Sequence, residues 1–188
     1  MTVIAAAITK GDGVVIVGDS EVTHDFTKDN DGFSKLWVSE EHSFIFGGCG
    51  SIRAMQIVRY WTDWPYYRSN TDPEEFVIKE VVPRIRESLS LHGALLVSKK
   101  TESFDGALIM AWDNNLVVID EDFGVTVPVS GRYAIGSGQS EALGSLGNKG
   151  PWIKSEVIEA AKRSAVTALG VGGPLWTVTT RTHRVEKI

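Results

Sequence analysis

Two strands that are apolar from end to end constrain this chain more than any other feature in it. "TVIAAAIT" and "VVIVGDS" flank "KGDG", whose Gly and Asp supply the dihedrals of a tight turn, so the opening residues read as a β-hairpin. A strand with one face in water alternates apolar with polar residues, whereas a continuous apolar run has both faces covered. The sheet that contains this hairpin is therefore expected inside the molecule, between further layers.

Beyond it, "HDFTKDNDGFSK" is polar and rich in Asp, Asn and Gly, the composition of an exposed loop, and "KLWVSEEHSFIFGGCG" gives a second hairpin turning at "SEEH". The period then changes. Ile52, Met55, Ile57, Val58 and Trp61 fall near helical spacing behind Ser51 as N-cap, with Pro65 shortly after the end. "TDPEEFVIKEVVPRIRESLSLHG" reads as a second helix, opened by Asp72 and Pro73, closed at Gly93, and bent or interrupted at Pro83. Two apolar runs around "DNN" in "GALIMAWDNNLVVIDEDFGVTVPVS" predict a third hairpin. "SGQSEALGSLGNKG" is a short helix, "KSEVIEAAKRSAVTALG" an amphipathic one closed by Gly170, and "PLWTVTTRTHRVEKI" returns to strand character. Hairpins in blocks between helix pairs predict an α+β fold in which four helices cover the outer faces of a double sheet, a four-layer α-β-β-α sandwich. No repeat or low-complexity tract divides the 188 residues, which are expected to form one domain, 1–188.

Composition narrows the function. A net charge of -5 with both signs dispersed leaves no basic stripe for a nucleic-acid backbone. No apolar run approaches the roughly 20 residues of a membrane span and the N-terminus lacks the pattern of a signal peptide, so a cytoplasmic location without a membrane partner is expected. The lone cysteine, Cys49, supports neither an intrachain disulfide nor a thiolate cluster, and its ordinary reading is a small buried residue. There is no G-x-S-x-G, H-E-x-x-H or G-x-x-x-x-G-K-[ST], and His24, His42, His92 and His183 are scattered. The "GSGQS" at Gly136 to Ser140 lacks the Lys-Ser/Thr pair of a phosphate loop, and neither a metal nor a cofactor is expected.

What remains is Thr2, Asp19, Lys35 and the "GSGQS" turn. An N-terminal threonine carries its own base, because an α-amino group titrates at about 7.7 to 8.0 and is partly neutral near physiological pH. A lysine beside the hydroxyl would lower the cost of forming an alkoxide, and an aspartate would fix that lysine. Met1 must first be removed, and threonine is small enough to permit its excision. Taken singly, Asp19 reads equally as a turn cap, Lys35 as a strand-edge charge and Ser137 as an N-cap.

These stretches in order, "TVIAAAITKGDGVVIVGDSEVT", "SKLWV", "FGGCGSIRA" and "YAIGSGQSEALGSL", resemble the proteasome β-type subunits and the HslV-like peptidases of the N-terminal-nucleophile hydrolases over nearly the whole chain. The resemblance implies a threonine-type endopeptidase. Thr2 would be the nucleophile, its freed amine the base, Asp19 and Lys35 the activating pair, and Ser137 a hydroxyl near the amine. Thr23 would contact substrate backbone, and a backbone N–H at Cys49 or Gly50 would meet the oxyanion. Val22, Phe33, Gly47, Ser51 and Met55 would line the pocket before the scissile bond, which predicts a preference for apolar residues there. Self-association into a ring and an ATP-dependent unfoldase partner are also implied, with the aromatic "RYWTDWPYYR" as a contact surface or, at Trp61, as core. One departure stands out: after the last helix the family places an Asp and a Ser, where this chain has "TALGVGGPLW". A catalytically silent structural or assembly subunit that retains Met1 is therefore the second reading, and an amidase acting on small amides the third.

Overall fold

The computed structural model of the protein describes residues 2–24, 27–29, 34–168 and 171–188, with backbone alone at 22–24 and 27–29. Strands β1 (Ile4–Thr9) and β2 (Gly13–Gly18) form the expected first hairpin. β3 (Val22–His24) and β4 (Thr27–Asp29) pair as a short ribbon that reaches into the stretch whose composition reads as loop, because backbone pairing needs no apolar face. β5 (Leu36–Ser39) and β6 (Phe44–Gly50) make the second hairpin, and α1 (Ile52–Trp61) follows, its Ser51 cap accepting from the Ala54 N–H at 3.4 Å.

The expected bent helix is three pieces: α2 (Pro73–Phe76), a π-helical turn (Val77–Val81) and α3 (Val82–Leu91). Pro83 has no N–H to give and its ring crowds the carbonyl one turn back, so the widened turn before it absorbs the mismatch. A ribbon of β7 (Leu96–Ser98) and β8 (Thr101–Ser103) leads to the third hairpin, β9 (Gly106–Trp112) and β10 (Asn115–Ile119), which turns with Asp113 at φ 49°. β11 (Val125–Thr126), β12 (Arg132–Ile135), α4 (Gln139–Leu146), α5 (Lys154–Thr167), β13 (Trp176–Thr179) and β14 (Glu186–Lys187) complete the chain. Gly170, expected to close the last helix, lies outside the described residues. No helix among the described residues is long and apolar enough to cross a membrane.

The strands assemble into two five-stranded antiparallel sheets, ordered β12-β1-β2-β13-β14 and β11-β10-β9-β6-β5. Three apolar clusters show how they stack. Ile4, Ala6, Val14 and Ile16 of the first sheet meet Leu36, Ile45, Ile109, Leu116 and Val118 of the second in a middle core. The alternate residues Val3, Ala5, Ala7, Val15 and Val17 face α4 and α5 through Ala142, Leu146, Val157, Ala160 and Ala161. On the other side Trp37, Phe44, Phe46, Met110 and Val117 pack on Met55, Val58, Phe76, Ile85 and Leu89. The layers are therefore α, β, β, α, and the opening strands are apolar throughout because each face lies in a different core.

The aromatic segment after α1 divides. Trp64 is the buried member, its ring 4.5 Å from that of Phe46, whereas Tyr60, Trp61 and Tyr66 are exposed at 67%, 63% and 64%. Trp61 is thus not a core residue; its ring sits against His92 at 4.1 Å on the surface.

Candidate active site

The first hairpin brings residues 2 and 19 together without any help from side chains. Its register pairs Ile4 with Gly18, so the next positions outward face each other and the Asp19 N–H donates to the Val3 carbonyl at 3.1 Å. Lys35 arrives from the other sheet, one residue before β5. The sheets can approach there because Gly18 has no side chain: a Cβ would sit 2.7 Å from Ile4 Cδ1 and 3.1 Å from Leu36 Cδ2. Across this gap Lys35 Nζ donates to Thr2 Oγ1 at 2.7 Å and to Asp19 Oδ1 at 2.8 Å.

Asp19 is held on all sides. Its Oδ1 also accepts from the Val3 N–H at 3.0 Å, and its Oδ2 from the N–H groups of Glu21 at 3.3 Å and Gly172 at 3.4 Å. The side chain has no exposed surface, and Lys35 is only 9% exposed. Burial pushes the Asp19 carboxyl above its ordinary 3.8, opposed by the charge of Lys35 and these hydrogen bonds. Burial likewise draws Lys35 below its ordinary 10.5, opposed chiefly by Asp19. An ammonium whose proton is loosened and which touches a hydroxyl oxygen favours the alkoxide form of that hydroxyl.

The turn between β12 and α4 supplies the third side. Gly136, at φ 91°, has Thr2 O where a Cβ would stand, 2.3 Å away, so only glycine lets the chain pass this closely. The next residue, Ser137, accepts from the Thr2 N–H at 3.1 Å and donates to the Thr2 carbonyl at 3.3 Å, which also receives the Gly138 N–H at 3.2 Å. With Met1 in place that nitrogen is the amide joining Met1 to Thr2. It marks where a freed α-amine would lie. Thr2, Asp19, Lys35 and Ser137 therefore form one contiguous cluster.

The expected substrate-contacting residues are less gathered. Cys49 and Gly50 end β6, and at Gly50, with φ 103°, a Cβ would lie 2.4 Å from the carbonyl oxygen of Asp105. Burial pushes the Cys49 thiol up to about 11, so it stays neutral near pH 7. Beside it opens a cavity of about 510 Å³ lined by Asp105, Asp120, Glu121 and Asp122, where burial and the neighbouring acids raise Asp120. Gly47 faces the middle core, where a Cβ would lie 2.6 Å from Ile4 Cγ2; the glycine facing Met55 is Gly48. Ser51 is occupied as the cap of α1. Met1 and Phe33, and the side chains of Val22 and Thr23, lie outside the described residues.

Three features escaped the sequence. Glu21 is buried at 3% exposure, two residues beyond Asp19. Ser164, wholly buried, donates to the Gly138 carbonyl at 2.8 Å and so braces the Ser137 turn; its signal was a polar residue in the apolar helical series Val157, Ala160, Ala161. The described part of the segment after α5, which has neither the Asp nor the Ser that the resemblance implies there, contributes main chain instead. The Gly172 N–H serves Asp19, the Gly172 carbonyl accepts from the Glu21 N–H at 3.1 Å, and the Pro174 carbonyl accepts from Ser20 Oγ at 2.8 Å. Among the described residues there is no group of three or more His, Cys, Asp or Glu that could hold a metal.

No protein-family model matches the chain, and no curated protein matches it in sequence. Solved structures do. The chain is similar to BPH of Thiobacillus denitrificans with a TM-score of 0.75 at 17% identity, covering 94% of this chain and 96% of that one. That protein is also solved in complex with Epoxomicin. Eukaryotic HslV from Trypanosoma brucei matches with a TM-score of 0.64 at 18% identity, over 94% and 98% of the two chains. Anbu from Hyphomicrobium sp. strain MC1 matches with a TM-score of 0.69 at 16% identity, over 99% and 87%. At such identities the likeness shows the fold, a proteasome-like α-β-β-α sandwich.

Proposed function

We propose, from that fold and the geometry around Thr2, that the protein is a threonine-type endopeptidase subunit whose nucleophile is Thr2 once Met1 has been removed. The observation that carries this reading is Lys35 Nζ, 2.7 Å from Thr2 Oγ1 and 2.8 Å from Asp19 Oδ1 in a buried setting. The freed α-amine takes the Oγ1 proton as Oγ1 bonds to the substrate carbonyl carbon. The carbonyl oxygen becomes an oxyanion and meets a backbone N–H at Cys49 or Gly50, a contribution of about 3 to 4 kcal/mol for a well-placed donor. Collapse breaks the C–N bond, and the proton held by the amine passes to the leaving nitrogen. Water then repeats the sequence on the ester and releases Thr2. Ser137 keeps the amine in place, and Asp19 keeps Lys35 in place. Thr23 and Val22 belong to the substrate side of this reading. So does self-association into a ring, with an ATP-dependent unfoldase as partner, for which the exposed Tyr60, Trp61 and Tyr66 supply aromatic contact area.

A second reading, a silent structural subunit that keeps Met1, is favoured by one observation: among the described residues, the segment after α5 offers the site only main-chain groups. Intact mass of the protein from its native source separates the two. Loss of the Met1 residue is expected, together with peptide hydrolysis that Thr2→Ala reduces to background. A chain that keeps Met1 quantitatively, or unchanged hydrolysis in Thr2→Ala, overturns the peptidase.

A further inference from the structure

A second acidic side chain is buried beside the threonine cluster, and the mechanism above leaves it without a role. Glu21 follows Asp19 by two residues, is 3% exposed, and gives its own N–H to both Asp19 Oδ2 and the Gly172 carbonyl. Its side chain turns toward the segment after α5. A Cβ at Gly172 would lie 2.4 Å from Glu21 Oε2, so the carboxyl group fills the space that a larger residue at 172 would take. This is the segment from which the resembling family contributes an Asp and a Ser, and which here has no polar side chain from Val171 to Leu175. The acid has come from the other end of the site, and the glycine makes room for it.

We propose that Glu21 is a positioning residue of the threonine site, supplying from β2's exit the negative charge that the segment after α5 does not. The assignment rests on the peptidase reading for its catalytic meaning. Asp19 is the contact ion of Lys35, at 2.8 Å. Once Met1 is gone a second cation forms each time the α-amine accepts the Thr2 proton, and Glu21 provides the matching charge. Among the described residues, the groups around this centre are Asp19 at the end of β2, Lys35 before β5, the neutral thiol of Cys49 on β6 and the hydroxyl of Ser137, while the Glu21 carboxyl lies against Gly172, whose N–H serves Asp19. Glu21 also favours the charged form of Lys35, in the same direction as Asp19 and more weakly.

The test uses the processed full chain and two readouts: the titration of Lys35 followed through its 13Cε resonance, and the pH profile of kcat/KM on a peptide amide. Glu21→Gln keeps the shape and removes the charge. It is expected to move the Lys35 titration and the acid limb of kcat/KM to lower pH, because a cation that loses a neighbouring anion gives up its proton more readily. Glu21→Asp should restore both toward wild type. Gly172→Ala, with Glu21 intact, should displace the carboxyl group and reproduce part of both shifts. A Glu21→Gln protein that folds and titrates at Lys35 as wild type overturns the assignment, whatever its activity. A Lys35 shift in Glu21→Gln, with a processed wild-type protein that hydrolyses nothing, upholds the placement of Glu21 and overturns the peptidase instead.

Discussion

Lys35 is where the chemistry of single residues is most exposed to measurement. Its ammonium touches the Thr2 hydroxyl and the Asp19 carboxylate inside a nearly closed site, and burial draws its proton affinity below the ordinary 10.5. The sign of the consequence is fixed: a lysine lowered in this way loses its charge at a lower pH than an exposed one. Hydrolysis that needs the ammonium should therefore show an alkaline limb below pH 10.5, measured as kcat/KM on a neutral peptide substrate. A profile that stays flat to that pH would remove Lys35 from the activating role. Thr2, Asp19, Lys35 and Ser137 were legible in the sequence because order and neighbouring motifs place them. Glu21 was not, since "DSEVT" reads as a polar run leaving a strand, and its burial depends on Gly172, far along the chain. The aligned reading of Gly47 shows the same limit. Strand parity decides which core a glycine faces, and Gly47 and Gly48 differ by one residue and by the whole thickness of a sheet.

Among the elements, the turn from β12 into α4 binds the site to the scaffold. Gly136 passes the Thr2 carbonyl where no side chain fits, and Ser164 of α5 fixes the same turn through Gly138. Gly136→Ala adds a Cβ 2.3 Å from Thr2 O at φ 91°, so overpacking and backbone strain together should cost about 2 to 4 kcal/mol. They should also displace Thr2 and lower hydrolysis at least as much as stability. Gly147→Ala is the matched control: φ is 61°, but nothing lies within 4 Å of the added carbon. It should cost about 1 to 3 kcal/mol of strain and leave hydrolysis intact, with stability read from urea midpoints and activity from initial rates. Equal loss of activity in both variants would show that the turn is not special to the site. Capped helices such as α1 were legible, because Ser51 and the spacing behind it are local signals. β12 was not, because the four residues "RYAI" carry no alternation of their own and become a strand by pairing with β1, the first strand of the chain.

At the scale of the molecule, the two sheets are shared walls. β1 and β2 give alternate residues to the middle core and to the α4–α5 core, while β6, β9 and β10 do the same for the middle core and the α1–α3 core. No helical layer can detach without exposing an inner face that is apolar along its length, which is what the continuous apolar strands of the first hairpin imply. The prediction is therefore one transition, wherever the packing is damaged. Leu89→Ala in the α3 layer, Ile109→Ala between the sheets and Leu146→Ala in the α4 layer each remove a side chain that is at most 1% exposed. Each should cost about 2 to 5 kcal/mol. Tryptophan fluorescence, weighted toward Trp37, Trp64 and Trp112 in the α1–α3 core, and far-ultraviolet circular dichroism, which averages all layers, should report one coincident urea midpoint in every variant. A Leu146→Ala protein whose circular dichroism falls before its fluorescence would mean that α4 and α5 unfold alone. The Ser137 turn and the Gly172 main chain would then belong to a separately mobile layer, and the threonine site would be assembled from two units that do not share one stability.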